Sequence, residues 1–320
     1  MIELYIILGL IVLFLVLIII SFFIHSITFG KRYEANPLIR LYTKEEFNLK
    51  STPLEIKYKN ERIRGNLYNY DNYDTNKLIV FCHGMLSDQN SYLQDIEYFC
   101  RNNYQVFGFD YIGVSSSTGK NIKGLGNSLK SLDIVISYLK LNYPNKDIYV
   151  VGHSWGGYAT TNIVSLHPDI LGIVAMAPFI STYSCLMNFI PKGLRFLAPF
   201  IYFIDYLKNG KYTTYKTKDS LKNYKGKVML LASKDDPMIS YDKNTGYIKH
   251  IYPNFSYLIF DKKGHNPNYT NEAVIKLKDF QNNIKTISKN KMVDYMNSIN
   301  FHELGELDSN VMDKIIEFIK

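Results

Sequence analysis

The stretch Gly152-His153-Ser154-Trp155-Gly156 decides how this chain is read. It follows an apolar run, Asp147 to Val151, and precedes a helix-like stretch, Tyr158 to Val164. Strand, G-x-S-x-G and helix, in that order, describe a nucleophile elbow. The turn must be sharp, so that the Ser154 hydroxyl stands clear of the backbone. Glycines flank it because a Cβ at either place would collide with the neighbouring strand or helix. The pentapeptide alone recurs by chance. Placed between a strand and a helix it is far rarer.

Outward from the elbow the chain alternates. Leu54 to Tyr58 and Ile63 to Tyr68 read as a strand pair joined by a polar turn. Lys77 to Cys82, Tyr104 to Phe109, Leu171 to Met176, Lys227 to Ala232 and Tyr257 to Phe260 read as further strands. Between them Ser91 to Cys100 reads as a helix starting near Ser87 or Asp88. Leu129, Leu132, Ile136 and Leu139 fall at helical spacing. Strands apolar throughout and separated by helices indicate a parallel sheet covered on both faces. One interval breaks the rule: Pro178 to Lys227 holds no clear strand, and Met187 to Leu207 is rich in Phe, Leu, Ile and Tyr. An insertion of that length in a compact fold is usually functional. The tail, Lys276 to Lys320, is helical in character, with Val311, Ile315, Phe318 and Ile319 on one face.

A serine hydroxyl is a weak nucleophile near neutral pH and needs a base, with a third group to orient that base. Of the seven histidines, His265 is the candidate base: it follows the last apolar strand, in Lys263-Gly264-His265. His153 lies inside the elbow and is expected to point away from Ser154. His25 sits at the end of the N-terminal apolar run. His167, His250 and His302 fall on surface-like segments. The acid is expected at the end of the preceding strand, where Asp235 and Asp236 are adjacent. Asp236, immediately before Pro237, is the first choice and Asp235 the alternative. An oxyanion hole needs backbone N–H groups aimed at developing charge, each worth about 3 kcal/mol. Trp155, after the nucleophile, supplies one. The His83-Gly84-Met85 loop supplies the other, from Met85 or else Leu86.

With these residues in place the chain resembles the α/β-hydrolases. The order Ser154, Asp236, His265, the elbow, the His-Gly loop and the insertion after the following strand all match, over roughly Leu54 to Phe280. The resemblance is strongest to serine hydrolases grouped with monoacylglycerol lipases and S33-type aminopeptidases, including membrane-anchored bacterial members. Those often carry D-x-R-G-x-G-x-S after the fourth strand. Here the stretch is Asp110-Tyr111-Ile112-Gly113-Val114-Ser115-Ser116-Ser117, without the Arg and the second Gly. The resemblance implies a mostly parallel eight-stranded sheet flanked by helices, with a helical cap inserted at about 179–226.

The N-terminus differs in kind. Leu4 to Ile24 is 21 residues without a charge, roughly 30 Å of helix, the thickness of a bilayer core. A cleaved signal peptide should have a basic start and a small-x-small cleavage site; here only Glu3 precedes the span. The expected organisation is a transmembrane anchor over 1–30, a juxtamembrane linker over 31–52 and a hydrolase domain over 53–320. Lys31, Arg32 and Arg40 follow the span, which places the domain in the cytoplasm. Three cysteines, none in C-x-x-C, agree with that compartment.

The remaining composition excludes more than it suggests. Net charge is +8, with lysines scattered rather than clustered, which gives no footprint for nucleic acid. Gly124-Leu125-Gly126 is a lone G-x-G, and no P-loop, H-E-x-x-H or cysteine cluster is present, so no cofactor or metal is expected. The reading is a membrane-anchored serine hydrolase acting on an ester or thioester, lipid-like given the apolar cap and tether. No protein partner is required. An aminopeptidase-like amide hydrolase and a non-catalytic membrane scaffold are the alternatives.

Overall fold

Eight strands form one sheet in the order β1-β2-β4-β3-β5-β6-β7-β8. They are β1 (Lys50–Tyr58), β2 (Glu61–Asn69), β3 (Lys77–Cys82), β4 (Gln105–Phe109), β5 (Asp147–His153), β6 (Gly172–Met176), β7 (Lys227–Ser233) and β8 (Ser256–Phe260). The computed structural model describes residues 1–34 and 42–320. β1 pairs with β2, and β2 with β4, antiparallel; every other pairing is parallel. In β3, β4 and β6, and after the first residue of β5 and β7, nearly every side chain is buried, as a strand sandwiched between helices requires. β1, at the edge, is mostly exposed.

The helices are α1 (Ile2–Phe29), α2 (Leu93–Arg101), α3 (Asn127–Asn142), α4 (Trp155–Ile163), α5 (Thr182–Phe189) and α6 (Ala198–Asn209). They continue as α7 (Thr217–Ser220), α8 (Thr245–Ile251), α9 (Asn271–Thr286), α10 (Met292–Ser298), α11 (Phe301–Leu304) and α12 (Ser309–Ile319). One face of the sheet is covered by α3 and α4, through Leu129, Leu132, Ile136, Leu139, Tyr158 and Ile163. The other is covered by α2 and α12, through Ile96, Phe99, Met312, Ile315 and Ile319. Leu129, Leu132, Ile136 and Leu139 in α3, and Met312, Ile315 and Ile319 in α12, repeat at helical spacing, so each of these helices turns a continuous apolar stripe inward. The insertion between β6 and β7 holds α5, α6, α7 and short 3-10 turns.

α1 is long and apolar enough to cross a membrane. The residues after it are stitched to the domain. Tyr33 N–H donates to Gly113 O at 3.0 Å and Ser115 N–H to Tyr33 O at 2.9 Å. The Arg32 guanidinium donates to the carbonyls of Ser117 at 2.6 Å and of Ser115. The 113–119 loop, which lacks the arginine of the D-x-R-G pattern, thus receives one from the N-terminal segment. Within it Gly113 has φ +80°, and a Cβ there would lie 2.1 Å from Asn121 O, so glycine is obligatory. Residues 35–41 of the expected linker, Arg40 among them, lie outside the described residues.

Candidate active site

Four loops meet at the carboxyl ends of β3, β5, β7 and β8, where parallel sheets place their sites. The loop after β5 is the elbow. Ser154 has φ 54° and ψ −108°, a backbone state that costs a non-glycine residue about 1–3 kcal/mol. Its N–H is held by Met176 O at 2.8 Å, and its carbonyl accepts from Tyr158 N–H at 3.0 Å. A Cβ at Gly152 would lie 2.4 Å from Thr160 Oγ1, and one at Gly156 would lie 2.0 Å from Cys82 O. Both glycines therefore permit close contact of β5, α4 and β3. Trp155 opens α4, so its N–H has no intrahelical acceptor. Its indole is buried, donating to Leu125 O at 2.7 Å.

The loops after β7 and β8 bring Asp236 and His265 together. Asp236 Oδ2 lies 2.7 Å from His265 Nδ1. Its Oδ1 accepts from Met238 N–H at 2.8 Å and Ile239 N–H at 2.9 Å. The carboxylate is thus buried, fully bonded and aimed at one ring nitrogen, which fixes that nitrogen as the protonated one. Asp235 points elsewhere: its Oδ1 accepts from Gly264 N–H at 2.9 Å and from the Ser233 hydroxyl. It braces the histidine loop from behind. Lys263 adds a bond to Asp308 Oδ2 at 2.8 Å, tying that loop to the start of α12.

The loop after β3 carries His83, Gly84 and Met85. His83 Nδ1 donates to Gly84 O at 2.7 Å, and burial pulls its pKa down. Tyr111 hydroxyl donates to His83 O at 2.9 Å and its ring lies 4.1 Å from the His83 ring. The Met85 N–H has no hydrogen-bond acceptor among the described residues. Ser154, His265, Met85 and Trp155 all line one cavity of about 670 Å³. Its other walls are mostly apolar, among them Phe179, Leu186 and Ile201, the last two from α5 and α6.

His153 does point away from Ser154, but it is far from idle. Its Nε2 lies 2.8 Å from His265 O and its Nδ1 lies 2.7 Å from Tyr92 Oη. A carbonyl only accepts, so Nε2 carries the proton and Nδ1 accepts from the tyrosine. Gly84 N–H in turn donates to Tyr92 Oη at 3.1 Å. One directed chain of hydrogen bonds therefore joins the β3 loop to the histidine loop. Burial, with the nearby His265, lowers the His153 pKa to about 3, so the ring stays neutral. Tyr92 gave no sequence signal, because an aromatic in an apolar helix reads as core.

A family model described as serine aminopeptidase, S33, matches residues 73–243, just over half of the chain. No curated protein matches it in sequence. Among solved structures, an esterase from Pyrococcus furiosus is 20% identical, with TM-score 0.57 over 80% of this chain and 95% of that one. Est1E from Butyrivibrio proteoclasticus, with ferulic acid bound, is 17% identical, with TM-score 0.57 over 71% of this chain and 97% of that one. An acylaminoacyl peptidase from Pyrococcus horikoshii is 16% identical, with TM-score 0.54 over 80% of this chain and 46% of that one. At these identities the likenesses carry the α/β-hydrolase fold.

Proposed function

The chain belongs to the serine aminopeptidase S33 family of α/β-hydrolases, and on that premise we propose that it is a membrane-anchored serine hydrolase cleaving carboxylic esters or thioesters. In this reading His265 takes the Ser154 proton as Ser154 attacks the carbonyl carbon. Asp236 holds the imidazole in its tautomer and stabilises the imidazolium. The Met85 and Trp155 N–H groups hold the oxyanion. His265 then protonates the leaving alcohol or thiol, and water, activated by His265, releases the acid from the acyl-enzyme. The reading divides the chain into an anchor over 1–30, a linker over 31–52 and a hydrolase domain over 53–320 with its cap at about 179–226. Lys31 and Arg32, on the C-terminal side of α1, favour a cytoplasmic domain.

The observation that carries this reading is the Asp236–His265 pair at 2.7 Å, opening onto the cavity that Ser154 lines. The cavity also bears on ester against amide. Among its described lining residues none is Asp, Glu, Lys or Arg. An aminopeptidase must hold a substrate ammonium, and burying that charge without a carboxylate is costly. A neutral acyl ester has no such requirement, and an apolar cavity beside an apolar N-terminal helix suits a lipid-like one. The test is labelling by a fluorophosphonate. The wild type should label and Ser154→Ala should not; equal labelling of both would end this assignment.

A further inference from the structure

α1 is docked on the domain along one face. Leu17, Ser21, His25 and Phe29 recur every four residues, so they share a side of the helix. Ser21, His25 and Phe29 are buried, whereas Phe22, Phe23 and Ile27 on other sides are exposed. Two of the three buried residues are polar in an otherwise apolar helix, which marks a face turned to protein rather than to lipid. That face meets the cap. Phe14 packs edge-on against Phe200 of α6 at 5.7 Å, and His25 Nε2 lies 3.7 Å from Asp205 Oδ2. Asp205 is itself pinned by Leu125 N–H at 2.5 Å and Thr213 Oγ1 at 2.6 Å. With Arg32 and Tyr33 fastened at the exit, the rotation of α1 relative to Ser154 is set.

The helix also borders the cavity. Ile24, His25, Thr28 and Phe29 line the same space as Ser154 and His265. Length then locates that wall. The part before this docked face, Ile2–Leu13, is only about 18 Å long at helical rise, short of the ~30 Å acyl core of a bilayer. A complete span must include the docked turns, whose outer side carries Phe22, Phe23 and Ile27. The cavity wall they form therefore lies at the edge of the acyl region.

We propose that Ile24, Thr28 and Phe29 form one wall of the acyl-binding site, and that the substrate is a single-chain acyl ester drawn from the bilayer along α1. The proposal rests on the reading of Ser154 as an ester-cleaving nucleophile. A cavity of about 670 Å³ is sized for one moderate ligand, which fits one acyl chain. Ile24, Thr28 and Phe29 bring no charge, so this wall selects for chain rather than headgroup. α1 thus acts as tether and as part of the specificity pocket.

The full-length protein in detergent micelles tests this as wild type, Ile24→Trp, Thr28→Trp and Ile27→Trp, with acetyl to palmitoyl esters. An indole at 24 or 28 fills the wall, whereas Ile27 lies on the outer side. Palmitoyl ester turnover should fall about ten-fold or more in Ile24→Trp and Thr28→Trp, while acetyl ester turnover and fluorophosphonate labelling stay within about two-fold. Ile27→Trp should keep the wild-type profile. A palmitoyl analogue with a terminal diazirine should crosslink the wild type within residues 24–29. An unchanged chain-length profile in both wall variants, or crosslinks only outside α1, overturns the proposal. Crosslinks in α1 without fluorophosphonate labelling instead overturn the ester-cleaving assignment and leave the wall standing.

Discussion

The imidazole of His153 donates from Nε2 to the carbonyl oxygen of His265 at 2.8 Å, so the residue before the elbow serine positions the loop that carries the proposed base. The other ring nitrogen accepts from Tyr92, which accepts from Gly84 N–H. The His265 loop and the His83-Gly84-Met85 loop are therefore set by one buried chain of hydrogen bonds. Because His153 has a pKa near 3, the polarity of that chain is constant across the range in which hydrolases work.

Breaking the chain should reduce kcat with little change in KM. For His153→Leu a fall of about 10- to 100-fold is expected, since small displacements of a catalytic group cost that much. His153→Gln, whose amide N–H still donates, should recover part of the loss; a bulk effect on packing would be relieved by neither. Tyr92→Phe leaves Gly84 N–H buried without an acceptor, at a cost of about 1–3 kcal/mol in stability. Steady-state kinetics on a short acyl ester, with thermal unfolding alongside, measure both. Equal kcat in His153→Leu and wild type would show that the chain positions nothing.

The two adjacent carboxylates should separate sharply. Asp236→Asn removes the acceptor of His265 Nδ1–H, and by the triad logic kcat should fall by about 10³ to 10⁴. Asp235→Asn disturbs only the brace formed with Gly264 N–H and the Ser233 hydroxyl, so a loss of about ten-fold or less is expected. Fluorophosphonate labelling rates of the two variants decide it. A larger loss from Asp235→Asn would move the acid to Asp235.

What could be read from the sequence follows from what each residue contacts. Parallel strands buried on both faces appear as apolar runs, so β3 to β7 and the elbow between β5 and α4 were legible, and the half-buried edge strand β8 showed as a shorter apolar run. The choice between Asp235 and Asp236 was not, because the backbone turn at the end of β7 decides which carboxylate faces β8. The role of His153 was hidden as well. Its partners lie at positions 92 and 265, with Gly84 bonded in turn to Tyr92, and only the sheet order brings them together. In α1 the signal was present but quiet: Ser21 and His25, four apart, are the polar marks of a docked face inside a run that otherwise reads as lipid-facing.

Arg32 should matter for how α1 is held. Its guanidinium donates to the carbonyls of Ser115, Ser117 and Gly119, and the side chain is partly buried. Arg32→Ala should cost about 1–3 kcal/mol, the price of charge-assisted bonds to backbone left unmade. Arg32→Lys should restore little, since one ammonium cannot reproduce the planar fork. Thermal unfolding, with limited proteolysis after Gly30, gives the measurement. Identical melting of Arg32→Ala and wild type would show that the segment is held by its backbone bonds alone.

Stability should fall as pH rises from about 5 to 8, through Asp95. This carboxyl, in α2, is buried and accepts one bond from Asn268 Nδ2 at 2.7 Å. Burial pushes its pKa up to about 7 from 3.8, against the pull of its hydrogen bonds. The folded state therefore keeps a proton that the unfolded chain releases above 3.8. The stabilising contribution is full below that value and is lost as pH rises through 7, over a window worth roughly 4 kcal/mol at most. Asp95→Asn keeps an acceptor for Asn268 and cannot ionise. Its melting temperature should draw above that of the wild type as pH increases from about 5 to 8. A difference between the two proteins that does not change with pH would show that Asp95 is ionised in the folded state throughout, paired more strongly than its single bond to Asn268 allows.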